Sequence, residues 1–284
     1  MGAQTVVGQA AVLPAERLTQ LTEVAHAVWA SGDFARIGAR TVLVGEVLCR
    51  SLDIHPGERV LDVAAGSGNT AISAARRGAR VTASDFVASL LEVAQARAEI
   101  EALPLATAVA DAQELPFEDA SFDVVLSTFG AMFAPDQQRA ADELVRVCRS
   151  EGRIGMANWT PEGLIGGYMA VSNRHVPPPP PAAGLRRPIE WGTEQRLREL
   201  FGERVSEVST ARRTVDLCAD SAAEYVEFNR IWLGPTRTAF AQLDEEGQAR
   251  FAADLAAELE RFNRATDGTL VAEAEYLEVV AVRK

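Results

Sequence analysis

The run Glu58-Arg59-Val60-Leu61-Asp62-Val63-Ala64-Ala65-Gly66-Ser67-Gly68-Asn69-Thr70-Ala71 constrains the fold of this chain more than any other stretch. Val60 to Ala64 reads as a short apolar strand, the glycines as a turn, and Ala71–Arg77 as an alanine-rich helix. A strand that passes into a helix through small residues brings backbone close to a ligand and aims the helix N-terminus at it. An ordinary strand–turn–helix corner has the same outline, so the stretch needs support from elsewhere. The spacing Gly66-x-Gly68-x-x-Ala71 also fits the dinucleotide pattern G-x-G-x-x-G/A. Asp62, four residues before the first glycine, departs from it, as do Asn69 and Thr70 where the turn closes.

Support comes from the order of the downstream elements. Gly78 ends the helix, and Arg80-Val81-Thr82-Ala83-Ser84 gives a second strand that stops at Asp85, 17 residues beyond Gly68. A carboxylate at that strand end is placed to take both hydroxyls of a ribose through strong, charge-assisted hydrogen bonds. Phe86 comes next, able to flank an adenine ring. Val87 to Glu101 reads as helix and Leu105 to Ala110 as a third strand, ending at Asp111-Ala112-Gln113-Glu114-Leu115-Pro116-Phe117. Ser121 to Phe129 gives a fourth strand, 136–149 a helix and 153–159 a fifth strand. An alternating series of this kind predicts an α/β fold, a doubly wound parallel sheet with helices on both faces.

Upstream, Leu18, Leu21, Val24 and Val28 recur at helical spacing between Pro14 and about Arg50, with a break at Gly32-Asp33. Trp29 and Phe34 flank that break. They either anchor a helical pair on the domain edge or belong to a lid that lays an aromatic over the cofactor.

Composition limits the partners. A net charge of −12 in 284 residues argues against general nucleic-acid binding, which needs a basic excess to displace counterions. The three cysteines, Cys49, Cys148 and Cys218, form neither a disulfide framework nor a metal-ligand cluster, so a reduced, cytoplasmic setting is expected. No apolar run approaches about 18 residues and no signal-peptide pattern opens the chain, so no membrane association is expected.

Taken together, Val60–Thr70, Asp85, the Asp111-Ala-x-x-Leu-Pro-Phe segment and Phe122-Asp-Val-Val-Leu-Ser resemble class I S-adenosylmethionine-dependent methyltransferases of the type 11 branch. The resemblance spans roughly residues 20–160. It implies a Rossmann-like, mostly parallel seven-stranded sheet whose last two strands form an antiparallel edge. It divides the chain into an N-terminal helical lid (1–52), a cofactor-binding core (53–160), and the rest of the sheet with substrate-cap insertions (161–284).

It also implies roles for residues. Asp62, Ala64 and the Gly66–Gly68 turn with Asn69 would hold the methionine part of S-adenosyl-L-methionine, and Asp85 the ribose. Phe86 would pack on adenine, Asp111 and Ala112 would bind its edge beside Gln113, and Ser127 would meet the methionine amine. The family often has glycine where Ala64 stands, and Pro-Gly before the fifth strand where this chain has Ser150-Glu151.

Past Trp159 the pattern stops being generic. Thr160 to Pro188 contains Gly163, Gly166, Gly167, Tyr168, His175 and the five prolines Pro177–Pro181, and reads as a stiff, extended connector or as one wall of an acceptor pocket. Residues 204–216 read as a strand, Ser221–Leu233 and Phe240–Phe262 as helices, and Leu270–Val282 as the last strand.

Methyl transfer from a sulfonium needs chiefly alignment and exclusion of water. A hydroxyl or acidic carbon also needs a base, and His175 is the histidine in the acceptor region. Phe133, Tyr168 and Trp232 are expected at an apolar acceptor site, so a small-molecule metabolite, methylated on oxygen or carbon by a monomer or homodimer, is the leading reading. A peptide or carrier-bound substrate, and a cofactor-binding protein without catalysis, remain as alternatives. An NAD-dependent oxidoreductase is disfavoured, because the Asp111 segment does not suit it and no Tyr-x-x-x-Lys pair is present.

Overall fold

A computed structural model describes residues 15–178 and 185–284. Three helices come first: α1 (Ala15–Ala30), α2 (Phe34–Gly38) and α3 (Val42–Ser51). The break between α1 and α2 falls at Gly32-Asp33, where the Asp33 side chain caps α2 by accepting from Ala35 N–H. The alternating part is β1 (Arg59–Val63), α4 (Asn69–Arg76), β2 (Arg80–Asp85), α5 (Ala88–Ile100), β3 (Leu105–Val109), β4 (Phe122–Thr128), α6 (Gln137–Val147) and β5 (Cys148–Trp159). The remainder is α7 (Leu164–His175), α8 (Glu194–Phe201), β6 (Val205–Ala219), α9 (Ala222–Trp232), α10 (Gly234–Ala241), α11 (Glu245–Glu260) and β7 (Leu270–Arg283).

The strands form one seven-stranded sheet in the order β3-β2-β1-β4-β5-β7-β6. β1 to β5 are mutually parallel, and β7 runs antiparallel to both β5 and β6. The chain therefore reverses its direction of winding between β1 and β4, the switch point at which open α/β sheets hold ligands beyond their strand ends. β1 is buried from Val60 to Val63 on both faces, and apolar clusters pack on each side of the sheet. This is why the central strands read as continuous apolar runs rather than alternating ones.

The structure corrects the reading of the second half at two places. The stretch after Trp159 is not an extended connector throughout, since Leu164–His175 is the helix α7. Pro179–Pro181, part of the proline run, lie outside the described residues. The single helix read over 240–262 is two, because Leu243 interrupts it and Asp244 caps α11 by accepting from Gly247 N–H at 2.8 Å. β6 and β7 extend the sheet that β1–β5 begin, and α7, α9, α10 and α11 gather over the strand ends where the glycine turn lies.

Candidate active site

The turn after β1 is built by carboxylates and left-handed backbone. Asp62, near the end of β1, accepts from Ala71 N–H through Oδ2 at 2.8 Å and so ties the strand to the first turn of α4. Its Oδ1 is buried without a partner. Burial pushes the Asp62 carboxyl up to about 8; the Ala71 hydrogen bond opposes this and the nearby Asp85 adds to it. Gly66 and Gly68 have φ of +55° and +81°, and a Cβ on Gly68 would lie 2.7 Å from Ala94 Cβ. That approach of α5 requires glycine. Ala64 adopts φ +53° although it carries a Cβ.

Asp85 ends β2 and is almost fully buried. Its Oδ2 accepts from Gly66 N–H at 2.8 Å and its Oδ1 from Val87 N–H at 2.9 Å. Burial raises its pKa, and those two bonds together with His26 oppose the rise. The second strand end is thus fastened to the glycine turn by one carboxylate.

A cleft opens above these groups. Trp29, Phe34, Ala64, Gly66, Asp85, Phe86, Asp111 and Ala112 line it. Asp85 and Asp111 are its only charged side chains among the described residues. Trp29 packs edge-on to Phe34 and Phe133 with ring centroids 5.6 and 5.0 Å apart, so the end of α1 and the start of α2 form its roof. Phe129 closes the far wall in a left-handed conformation (φ +55°), stacked on Trp159 at 3.7 Å.

Beyond that wall lies a second cavity of about 370 Å³, framed by α1, α2, α7, α9 and α10. Trp29, Phe34, Phe129 and Phe133 line both spaces. Its volume falls in the range of small-molecule sites. No Asp, Glu, Lys, Arg or His among the described residues lines it.

Comparison with known proteins agrees with this geometry. The family described as methyltransferase domain, type 11, matches residues 61–156. A protein of Mycobacterium tuberculosis described as uncharacterized is 41% identical over 250 residues, which is 87% of this chain and 88% of that one. The demethylmenaquinone methyltransferase of Thermobifida fusca is 36% identical over 143 residues, 50% of this chain and 53% of that one. Phosphoethanolamine N-methyltransferase 2 of Haemonchus contortus, in complex with S-adenosyl-L-methionine, shares the fold with a TM-score of 0.53 at 19% identity, covering 84% of this chain and 52% of that one.

The chain is a class I S-adenosylmethionine-dependent methyltransferase of the type 11 branch.

The cleft of this methyltransferase fits its cofactor, S-adenosyl-L-methionine, in charge as well as shape. Two carboxylates and no basic side chain line it, a field that attracts a sulfonium and repels the pyrophosphate of a dinucleotide. Gly66 leaves the cleft floor without a side chain; a Cβ there would stand 3.2 Å from Phe34 Cδ1.

The residues expected from the sequence divide into three groups. Trp29, Phe34, Ala64, Gly66, Asp85, Phe86, Asp111 and Ala112 line the cleft. Asp62, Gly68, Asn69, Gln113 and Ser127 stand behind it and brace it. Asn69 donates to Gly38 O at 2.7 Å and accepts from Arg97 at 2.8 Å, joining α2, α4 and α5. Ser127 donates to Val63 O and accepts from Ala131 N–H, both at 2.9 Å. Gln113 bridges Asp111, Thr22 and the Asp136 N–H. Phe133 lines both spaces and Tyr168 the second.

His175 and Trp232 form the third group, and here the sequence reading is corrected. His175 Nε2 lies 2.7 Å from Asp254 Oδ2 and its ring packs on Phe251, outside both spaces. Its position on α7 turns it toward α11 rather than inward, so it has no access to an acceptor. Trp232 stacks under the Arg36 guanidinium at 4.2 Å, joining α9 to α2 outside the cavities. Sequence reasoning missed Leu90, Gly130 and Pro135 in the cleft and Ile165, Met169, Asn229 and Thr236 in the second cavity. The helical period of 222–232 could have placed Asn229 one turn beyond Tyr225 on a common face. Nothing in the sequence pairs that face with Tyr168.

Proposed function

We propose that this enzyme methylates an oxygen or carbon of a small, largely apolar metabolite held in the second cavity. The observation that carries the reading is the shared wall, since Trp29, Phe34, Phe129 and Phe133 belong both to the cofactor cleft and to the 370 Å³ cavity. A methyl group held in one can reach a nucleophile held in the other. When bound, the sulfonium supplies an activated methyl group, which leaves by in-line displacement.

What the protein adds is placement. Asp85 takes the ribose hydroxyls, Phe86 and the Asp111-Ala112 backbone hold the adenine, and Ala64 with the Gly66 turn holds the methionine end. The aromatic walls exclude water, which leaves alignment as the main source of acceleration. With His175 turned away, no general base is assigned to the acceptor cavity; the acceptor's oxygen or carbon takes the methyl group as the sulfonium C–S bond breaks, and its proton passes to bulk water as the product is released.

The cavity lining argues against a carboxylate of a peptide or carrier, because an anion there would be desolvated with no cation to pair it. A small-molecule acceptor is also what the name of the Thermobifida fusca relative carries, over the half of the chain that it matches.

Calorimetric titration with S-adenosylmethionine and with NADH, repeated on Asp85→Ala, tests the cleft. Loss of two hydrogen bonds to a charged carboxylate removes roughly 3 kcal/mol and weakens S-adenosylmethionine binding ~100-fold. Mass spectrometry of apolar hydroxylated compounds incubated with enzyme and cofactor then tests transfer. Methylation confined to charged or peptide acceptors would overturn the reading.

A further inference from the structure

Helix α1 crosses the ends of the parallel strands, and residues of one face of it meet the cleft in strand order. Thr22 meets Gln113 beyond β3. His26 packs edge-on to Phe86 beyond β2, with ring centroids 5.3 Å apart. Trp29 meets Phe34 and Phe133, over the turns that follow β1 and β4. The rise from Thr22 to Trp29 is about 10 Å, the width of two strand spacings. None of residues 16–30 is buried, so α1 has no core of its own and depends on the contacts beneath it.

The first of those contacts is a closed network. Gln113 is 3% exposed. Its Oε1 accepts from Asp136 N–H at 2.7 Å, which fixes the orientation of the amide, because a backbone N–H can only donate. Nε2 is therefore the donor, giving to Thr22 Oγ1 at 3.0 Å and to Asp111 Oδ1 and Oδ2 at 3.1 and 2.9 Å. Asp111 Oδ1 also accepts from Gln113 N–H at 2.9 Å, which leaves Oδ2 with the greater spare acceptor capacity, in a residue that lines the cleft. Asp136 follows Phe133, Ala134 and Pro135, which line the same cleft. One amide thus joins the end of β3, the loop after β4 and the roof helix.

We propose that Gln113 is a positioning residue of the cofactor site: it fixes the Asp111 carboxylate as an acceptor for the amino group of the base and, through Thr22, ties that contact to α1. The inference rests on the placement of adenine at Asp111 given above. A carboxylate braced by donors selects an aminopurine, since an oxopurine would set a carbonyl oxygen against it with no proton between them. A seated base in turn steadies the carboxylate, the amide and Thr22 together, so base recognition and order in the roof rise together.

The test compares S-adenosylhomocysteine with S-inosylhomocysteine, which differ in an amino and a carbonyl group on the base. Binding of each is measured to the full-length wild type, Gln113→Glu and Gln113→Met. Glutamate keeps the shape of the side chain and the acceptor for Asp136 N–H and replaces only the donor, whereas methionine fills the space without one. The wild type is expected to prefer the adenosyl compound about tenfold or more, and both variants to fall within about threefold. A residue that merely filled the site would leave the preference intact. Thermal unfolding reports folding; if Gln113→Glu fails it, Gln113→Met carries the comparison. Amide hydrogen exchange of α1 reads the tie to the roof. At saturation the adenosyl compound should slow exchange in the wild type several-fold more than the inosyl compound does, and Thr22→Val should abolish the difference. An undiminished preference in the folded Gln113 variants would overturn the positioning role and leave the adenine placement standing. Equal exchange with the two ligands in the wild type would overturn the tie to α1. Equal binding of the two by the wild type would overturn the placement of adenine at Asp111, and the inference with it.

Discussion

Asp62→Asn isolates the cost of the buried carboxyl behind the glycine turn. Asp62 has an ordinary pKa of 3.8 and is pushed up to about 8 in the fold by burial. Because the folded value is the higher one, the folded protein keeps a proton that the unfolded chain has already released. The contribution is neutral below the unfolded pKa, and stability falls as pH rises from there to the folded pKa. Each pH unit inside that window costs about 1.4 kcal/mol, so the penalty at pH 7 is about 4 kcal/mol in the absence of cofactor, a large part of a domain's net stability. Asparagine preserves the shape and the acceptor for Ala71 N–H and has nothing to ionise.

Urea unfolding of the cofactor-free protein at a series of pH values between about 4 and 8 measures the difference directly. The two proteins should match near pH 4. The variant should then gain on the wild type by about 1.4 kcal/mol per pH unit. Asp85, raised for the same reason, leaves a residual slope of the same sign in both. Parallel curves, or a variant that is the less stable at pH 8, would refute the assignment of a buried, protonated Asp62.

Ala64→Gly should raise stability by up to about 1 kcal/mol, since relief of a left-handed Cβ outweighs the added freedom of the unfolded chain; a fall in the urea midpoint would count against strain there. Glu151→Gly, at φ +58° in the irregular first part of β5 where the pairing with β4 shifts register, should act in the same direction on thermal unfolding. His175→Ala should cost about 1 kcal/mol or less from its partly exposed pair with Asp254 and leave the methyl-transfer rate unchanged. A large loss of rate with intact cofactor binding would restore His175 to the chemistry.

The third of the molecule from Val60 to Trp159 is legible in the sequence because its constraints are local. Each strand ends on a residue whose neighbours announce a turn, and Asp62, Asp85 and Asp111 sit at strand ends that the sheet itself brings together. The braces are harder to tell from the lining. Ser127 and Gln113 carry polar groups at the right strand ends, and only the geometry reveals that Val63 O and Asp111 consume them.

α7 is hidden by its glycines, which read as breakers. In the fold they are contact points: a Cβ on Gly166 would strike the Pro161 carbonyl, and one on Gly167 would strike the Glu258 carboxylate of α11. Tertiary packing here overrides helix propensity. His175 is misread for a related reason, since its direction depends on which face of α7 meets α11.

Gly32 and Gly234 meet where α1 ends and α9 passes into α10. A Cβ on Gly32 would strike the Trp232 carbonyl, and one on Gly234 the Val28 carbonyl, while Asp33 N–H donates to Trp232 O at 2.9 Å. The roof of the cofactor cleft and the frame of the second cavity are therefore joined at the same few atoms. In kinetic terms, two reactants share one door. With the acceptor in the second cavity, as proposed, direct transfer needs both substrates bound at once, so initial-rate plots for the two substrates should intersect. Parallel lines would mean that one product leaves before the second substrate enters, through a methyl-enzyme intermediate, and would refute direct transfer between the two spaces.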